Sequence, residues 1–171
     1  MSDGKRRTLT GALVAFAVAA LVIPLSGCGA LTDDLAPQPE RDENTQEIIE
    51  RGDADAFALL VGDCMNEVAE DLVSVVPVVP CDRPHDEEVY FALTLEGDDY
   101  PGDDVIRATS DEACLAQFER FVGMAYESST LGFYAYRPSR ESWEQLDDRT
   151  VSCVIYDPAG KVTGTLEGVA R

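Results

Sequence analysis

The chain has one histidine and one tryptophan among its 171 residues. With a single imidazole, His85 is the sole candidate base for a Ser-His-Asp or Cys-His system. No Gly-x-Ser-x-Gly nucleophile elbow accompanies it. Basic residues are scarce: 13 Lys and Arg stand against 33 Asp and Glu, for a formal charge of −20. Nucleic-acid binding needs a basic footprint, so no nucleic-acid partner is expected. No Cys-x-x-Cys pair occurs, and one lone His completes no zinc pattern, so neither metal nor other cofactor is expected. Carboxylates are abundant, but no spacing singles out a pair for glycosidase-type acid–base work. Asp98-Asp99 and Asp103-Asp104 flank Tyr100-Pro101-Gly102 without EF-hand spacing and read as a solvated loop and a helix start. Together these deficits predict a protein that is not an enzyme.

The N-terminus carries an export signal. Lys5, Arg6 and Arg7 form a basic head, no charge follows from Thr8 to Thr32, and Leu9 to Leu25 is mostly apolar. Leu25-Ser26-Gly27-Cys28 resembles a bacterial lipobox, in which the thiol takes a diacylglyceryl group and the peptide is cut before it. Residues 1–27 are then a lipoprotein signal peptide and Cys28 is the lipidation site. The rival reading is an uncleaved membrane helix, which the charge-free run is long enough to form. Either way the basic head stays in the cytoplasm and the remainder faces outward. The expected location is the outer face of the cytoplasmic membrane, with the membrane itself as partner through fatty-acyl chains such as palmitate. Two chains anchor stably at about 0.8 kcal/mol per buried methylene.

Residues 28–56 read as the lipidated N-terminus and an acidic tether, with Pro37 and Pro39, few large apolar residues and a helical turn at Glu47–Glu50. Residues 57–171 read as one small α+β domain. Its predicted strands are Val73–Val79, an edge or bulged strand because of Pro77 and Pro80, then Glu88–Leu95, Leu131–Tyr136, Thr150–Tyr156 and a closing hairpin strand at Lys161–Leu166. Leu115, Phe118 and Val122, with Cys114 and Phe121 beside them, predict an amphipathic helix over 103–122 that stops at Gly123. A short helical turn after Pro138-Ser139 carries Trp143. The predicted architecture is an antiparallel sheet packed against one main helix.

Apart from Cys28, four cysteines remain: Cys64, Cys81, Cys114 and Cys153. An even number in an exported small domain predicts two disulfides. Three pairings are open. Cys64–Cys81 with Cys114–Cys153 is favoured, the first closing a local loop and the second tying the helix to a core strand. Arg83, His85 and Trp143 are the candidate ligand contacts. Against that, His85 in a tight loop and Trp143 beside Tyr134 and Tyr136 also fit local ordering and core packing.

Gly62-Asp63-Cys64, Val79-Pro80-Cys81-Asp82, Pro84-His85 and Glu88-Val89 occur in this order. They are followed by Tyr100-Pro101-Gly102, Cys114, Phe118, Val122-Gly123, Pro138, Ser142-Trp143, Asp148-Arg149, Cys153 and Tyr156-Asp157-Pro158. This order resembles the septum-formation domain of actinobacterial exported and membrane proteins, across nearly all of 57–171. Asp147 stands where the resemblance leads one to expect Gly. The resemblance carries over the four-cysteine frame and the Pro84-His85 loop, a link with division septa, and no catalytic residue. The expected function is a lipid-anchored extracytoplasmic interaction domain of the cell envelope, with envelope or division proteins as partners. The alternative is an extracytoplasmic ligand-binding or sensor module for a cell-wall fragment, cation or small molecule.

Overall fold

The computed structural model describes residues 38–68 and 74–171. The signal, lipobox and Cys28 readings lie outside the described residues. Among those described, no helix is long and apolar enough to cross a membrane.

The fold is α+β, with an antiparallel sheet, one main helix and two disulfides. β1 (Glu40–Arg41) and β2 (Ile48–Glu50) form a small hairpin. β3 (Gly52–Asp55), β4 (Cys64–Met65), β5 (Val75–Val79), β6 (Glu87–Thr94), β7 (Gly132–Tyr136) and β8 (Thr150–Tyr156) build one sheet in the order β3-β5-β4-β6-β8-β7. α1 (Asp103–Val122) covers one face, and the short α2 (Arg140–Leu146) links β7 to β8.

Alternation in the strands sorts the side chains into two cores. On the α1 face, Val151, Cys153 and Ile155 of β8 pack with Cys114, Phe118 and Val122. On the other face, Val154 packs with Met65, Val76, Val78 and Val89. A bulge between Val89 and Phe91 brings both Tyr90 and Phe91 to the α1 side. The Tyr90 hydroxyl donates to the Cys114 carbonyl at 2.8 Å, which ties that strand to the helix. Gly132 is obligatory for a different reason: the Tyr156 ring lies over it, and a Cβ would stand 2.5 Å from that ring.

The helix bounds agree with expectation, and Gly123 ends it in the left-handed conformation, φ 81°. Its buried stripe differs. Ile106, Ser110, Cys114, Phe118 and Val122 face the sheet at a strict spacing of four, whereas Leu115 is 42% exposed. Leu115 follows Cys114 by one position, about 100° around the helix, which carries it off the line of the spacing-of-four stripe. Ser110 is tolerated inside because its hydroxyl donates to the Ile106 carbonyl at 2.6 Å.

Four expectations are corrected. The folded part begins before Phe57: Ile48 and Ala54 are buried, and β3 pairs with β5 from Gly52↔Val78 to Asp55↔Val75. The stretch read as tether lacks an apolar pattern because long-range pairing, rather than its own periodicity, holds it. Glu47–Glu50 is accordingly no helical turn, since Ile48–Glu50 is β2. β5 is interior, between β3 and β4. Pro77 fits there because β4 ends opposite Val78, and the Pro77 carbonyl accepts from the Asn66 N–H at 2.9 Å, at the fraying end of that ladder. Lys161–Leu166 is no hairpin strand. It crosses instead to the 80–86 loop, where Val162 and His85 exchange backbone hydrogen bonds of 2.9 and 3.0 Å and the Gly164 N–H donates to the Cys81 carbonyl.

Candidate functional site

The four cysteines pair as Cys64–Cys81, with Cα atoms 5.2 Å apart, and Cys114–Cys153, 5.5 Å apart. The second lies wholly in the α1-side core, whereas the first runs from buried Cys64 to half-buried Cys81 at the rim of a cleft.

That cleft, of about 830 Å³, lies between the turn and second strand of the β1–β2 hairpin, the Leu60–Asp63 turn, the Pro80–Arg83 loop and the tail at Gly164–Thr165. Glu88 and Phe121 also line it. Two buried carboxylates organise it. Asp63 accepts from both terminal nitrogens of Arg41 at 2.6 and 2.7 Å and from the Leu60 N–H at 2.8 Å. This bidentate pair holds the β1–β2 hairpin to the domain and raises the Arg41 pKa above its ordinary value. Glu88 accepts from the Thr165 hydroxyl at 2.6 Å and the Leu166 N–H at 2.7 Å, which clamps the tail. Burial pushes the Glu88 carboxyl up from its ordinary value, and those two hydrogen bonds work against the rise.

Around these hydrogen-bonded carboxylates three aliphatic side chains stay in water: Ile49 is 51% exposed, Leu60 41% and Val61 57%. Glu47, Asp82 and Glu167 add negative charge to the walls, and Arg83 sits on the rim. The chemistry offered is an acidic surface with apolar contacts, suited to a partner or ligand that is both cationic and aliphatic.

The three candidate contacts are not brought together. Arg83 lines the cleft, but His85 and Trp143 do not. His85 is fully buried. Its Nδ1–H donates to the Arg83 carbonyl at 2.8 Å, which orders the loop, and its Nε2 has no hydrogen-bond partner among the described residues. Trp143 is buried too, so its reading as a ligand contact is corrected. Its Nε1–H donates to the Asp98 carbonyl at 3.0 Å, the Arg149 guanidinium lies 3.8 Å over its ring, and Tyr100 meets it edge-on. Trp143 thus pins the 97–100 loop to α2. The acidic loop itself is bound up locally, with the Tyr100 hydroxyl donating to Asp103. Among the described residues no group of three His, Cys, Asp or Glu is placed to hold a metal ion.

On the opposite face of the sheet, Glu87 makes a second buried acidic site. The Tyr134 hydroxyl donates to it at 2.9 Å, and Tyr136 lies 3.2 Å beyond, hydroxyl to hydroxyl. Burial pushes Glu87 up to about 7 against that hydrogen bond, and the charges of Glu67 and Asp86 add to the rise. Tyr134 and Tyr136 are half-buried against the Val154 core, and that burial raises both hydroxyls. Asp63, Glu87 and Glu88 were missed as site residues. The available signal was Glu87-Glu88 opening an otherwise apolar strand, where alternation must bury one carboxylate on each face.

A family model described as septum formation matches residues 28–164. No curated protein and no solved structure matches the chain.

Proposed function

Because the chain belongs to the septum-formation family, we propose that it is a lipid-anchored extracytoplasmic interaction domain of the bacterial envelope that works at the division septum. The cleft is its contact surface for an envelope or division protein. The cleft's chemistry carries this reading. Every oxygen of its buried carboxylates already accepts a hydrogen bond from the domain itself, which suits them to shaping a surface rather than to moving protons. Beside them, Ile49, Leu60 and Val61 remain in water, the kind of apolar cluster that marks a contact site. The two disulfides support an oxidising compartment. The apolar N-terminus with Cys28 supports a lipid anchor.

The test is the position of the full-length chain in dividing cells, followed with a fluorescent fusion that folds outside the cytoplasm. The wild type concentrates at septa, and a Leu60→Asp/Val61→Asp double variant spreads around the periphery while remaining folded. Cys28→Ser leaves an unprocessed precursor or releases the protein from membranes. A wild-type chain spread evenly over the envelope removes the septal role, and unchanged size and membrane partition in Cys28→Ser remove the anchor.

A second reading, a ligand-binding or sensor module, draws on the cleft's volume of about 830 Å³, which suits a small molecule. A cationic cell-wall fragment that raises the melting temperature of the wild type but not of the double variant selects it.

A further inference from the structure

The two edges of the main sheet are built differently. β3, at one edge, is Gly52-Asp53-Ala54-Asp55, and its two carboxylates discourage another strand from pairing there. β7, at the other edge, is Gly132-Phe133-Tyr134-Ala135-Tyr136, with no charge, proline or bulge across five residues.

Its backbone is half used. The Leu95 N–H donates to the Arg149 carbonyl at 2.8 Å, so Arg149 turns its main-chain groups toward β6. Alternation along β8 then turns those of Ser152, Val154 and Tyr156 toward β7. Their partners are Tyr136, Tyr134 and Gly132. The N–H and C=O groups of Phe133 and Ala135 therefore point away from the sheet, and among the described residues no hydrogen bond reaches them.

Side-chain space flanks this edge on both faces. On the α1 side, Leu115, Tyr126 and Phe133 line a hollow of about 550 Å³, and Leu115 and Tyr126 are exposed. On the other side Phe57 and Tyr136 border a smaller one. Asp111 and Glu112 stand at the larger hollow. Asp111 is paired with Arg137 at 2.6 Å, and Glu112 has no ion-pair partner among the described residues.

From the open edge and the hollows beside it, we propose that β7 is a strand-addition site for an extended segment of a partner protein that alternates basic and apolar residues. The segment hydrogen-bonds through Phe133 and Ala135, places one set of alternate side chains in the larger hollow, and lays the other set over Phe57 and Tyr136, where the space is about 40 Å³. The charge of the chain selects this occupant. A second copy would bring two bodies of formal charge −20 edge to edge, whereas a basic strand is drawn to Glu112 and to the acidic field behind it. This surface is separate from the cleft, so the two readings stand or fall independently.

The test uses the full-length chain in detergent micelles and three eight-residue probe peptides. One alternates lysine and valine, one is the same peptide N-methylated on alternate backbone nitrogens, and one alternates glutamate and valine. Hydrogen exchange read by mass spectrometry over 131–137 slows about tenfold or more with the lysine–valine peptide alone. The Ala135→Pro variant, which removes one outward N–H at a position where an edge strand tolerates proline, weakens that binding about tenfold or more. Equal binding of the N-methylated peptide excludes strand addition, even where the proline variant fails to fold. Equal binding of the glutamate–valine peptide, or no protection at β7, also overturns the proposal. A β7-mediated dimer of the chain alone in sedimentation hands the edge to a second copy.

Discussion

The two disulfides sit in opposite kinds of surroundings. Cys114–Cys153 joins α1 to β8 inside a core of Tyr90, Phe118, Val122, Val151 and Ile155, where both sulfurs are sealed from water. Aromatic rings close over it, with Tyr90 edge-on to Phe118, and Phe118, Tyr126 and Phe133 in mutual contact. Cys64–Cys81 closes a short loop at the cleft, where polar ties replace packing: the Arg41–Asp63 pair, the Glu88 clamp on the tail, and the Lys161–Asp86 pair. In the first region the covalent bond reinforces burial that α1 and β8 already provide. In the second it substitutes for burial, which leaves aliphatic side chains free to meet a partner. A binding surface needs apolar groups kept in water, and ties that do not consume those groups allow it.

The comparison can be broken by removing each bridge in turn. Loop closure for a sequence separation of 39 residues amounts to about 4 kcal/mol, against about 3 kcal/mol for 17 residues. Urea unfolding of the chain with Cys114→Ala/Cys153→Ala should therefore show the larger loss, spread over the whole domain. Cys64→Ala/Cys81→Ala should lose less globally and should speed hydrogen exchange first in 60–66 and 80–88. Equal losses with the same exchange pattern would erase the distinction.

A pH series sharpens the contrast between carboxylates that accept on both oxygens and one that accepts on a single oxygen. Glu87 has a carboxyl raised from its usual 4.5 to about 7, with Tyr134 as its hydrogen-bond donor and no ion-pair partner among the described residues. Between those values the folded chain holds a proton that the unfolded chain has released. Its stabilising contribution is full below pH 4.5 and is lost as pH rises through 7. Glu87→Gln should stabilise the protein at pH 8 by about 2 kcal/mol, solvent screening taken into account, and should change little at pH 4. Urea midpoints at the two pH values check this. Glu88, raised in the same direction, leaves a residual slope in the variant.

The smallest effect belongs to one residue at the end of α2. Asp147 holds the left-handed conformation, φ 55°, and is 93% exposed in its side chain. This is the position where the family resemblance leads one to expect Gly, and a residue without Cβ adopts that conformation without strain. Asp147→Gly should raise stability by about 0.5–1 kcal/mol, read as a small rise in melting temperature. The Asp147–Arg149 pair it gives up is too exposed to offset the gain.

Local chemistry was enough to place most of the elements. Apolar runs bounded by turn and loop residues located β6, β7 and β8, the first-turn acids and Gly123 bracketed α1, and Ser139 announced α2, where its hydroxyl and that of Ser142 form a reciprocal cap. The cysteine positions admitted three pairings and favoured the one found. Each of these signals acts within a few residues or through a covalent bond, so the amino-acid order by itself determined them. What it left open depends on partners far apart in the chain. Arg41 finds Asp63 across 22 positions and Glu88 finds Thr165 across 77. Only the tertiary structure could turn an acidic, apparently tether-like stretch into strands, and a turn-rich tail into the wall of a cleft. Burial supplies the reason: a carboxylate acquires its partner and its altered proton affinity from whatever the fold packs against it, and periodicity carries no record of that neighbour.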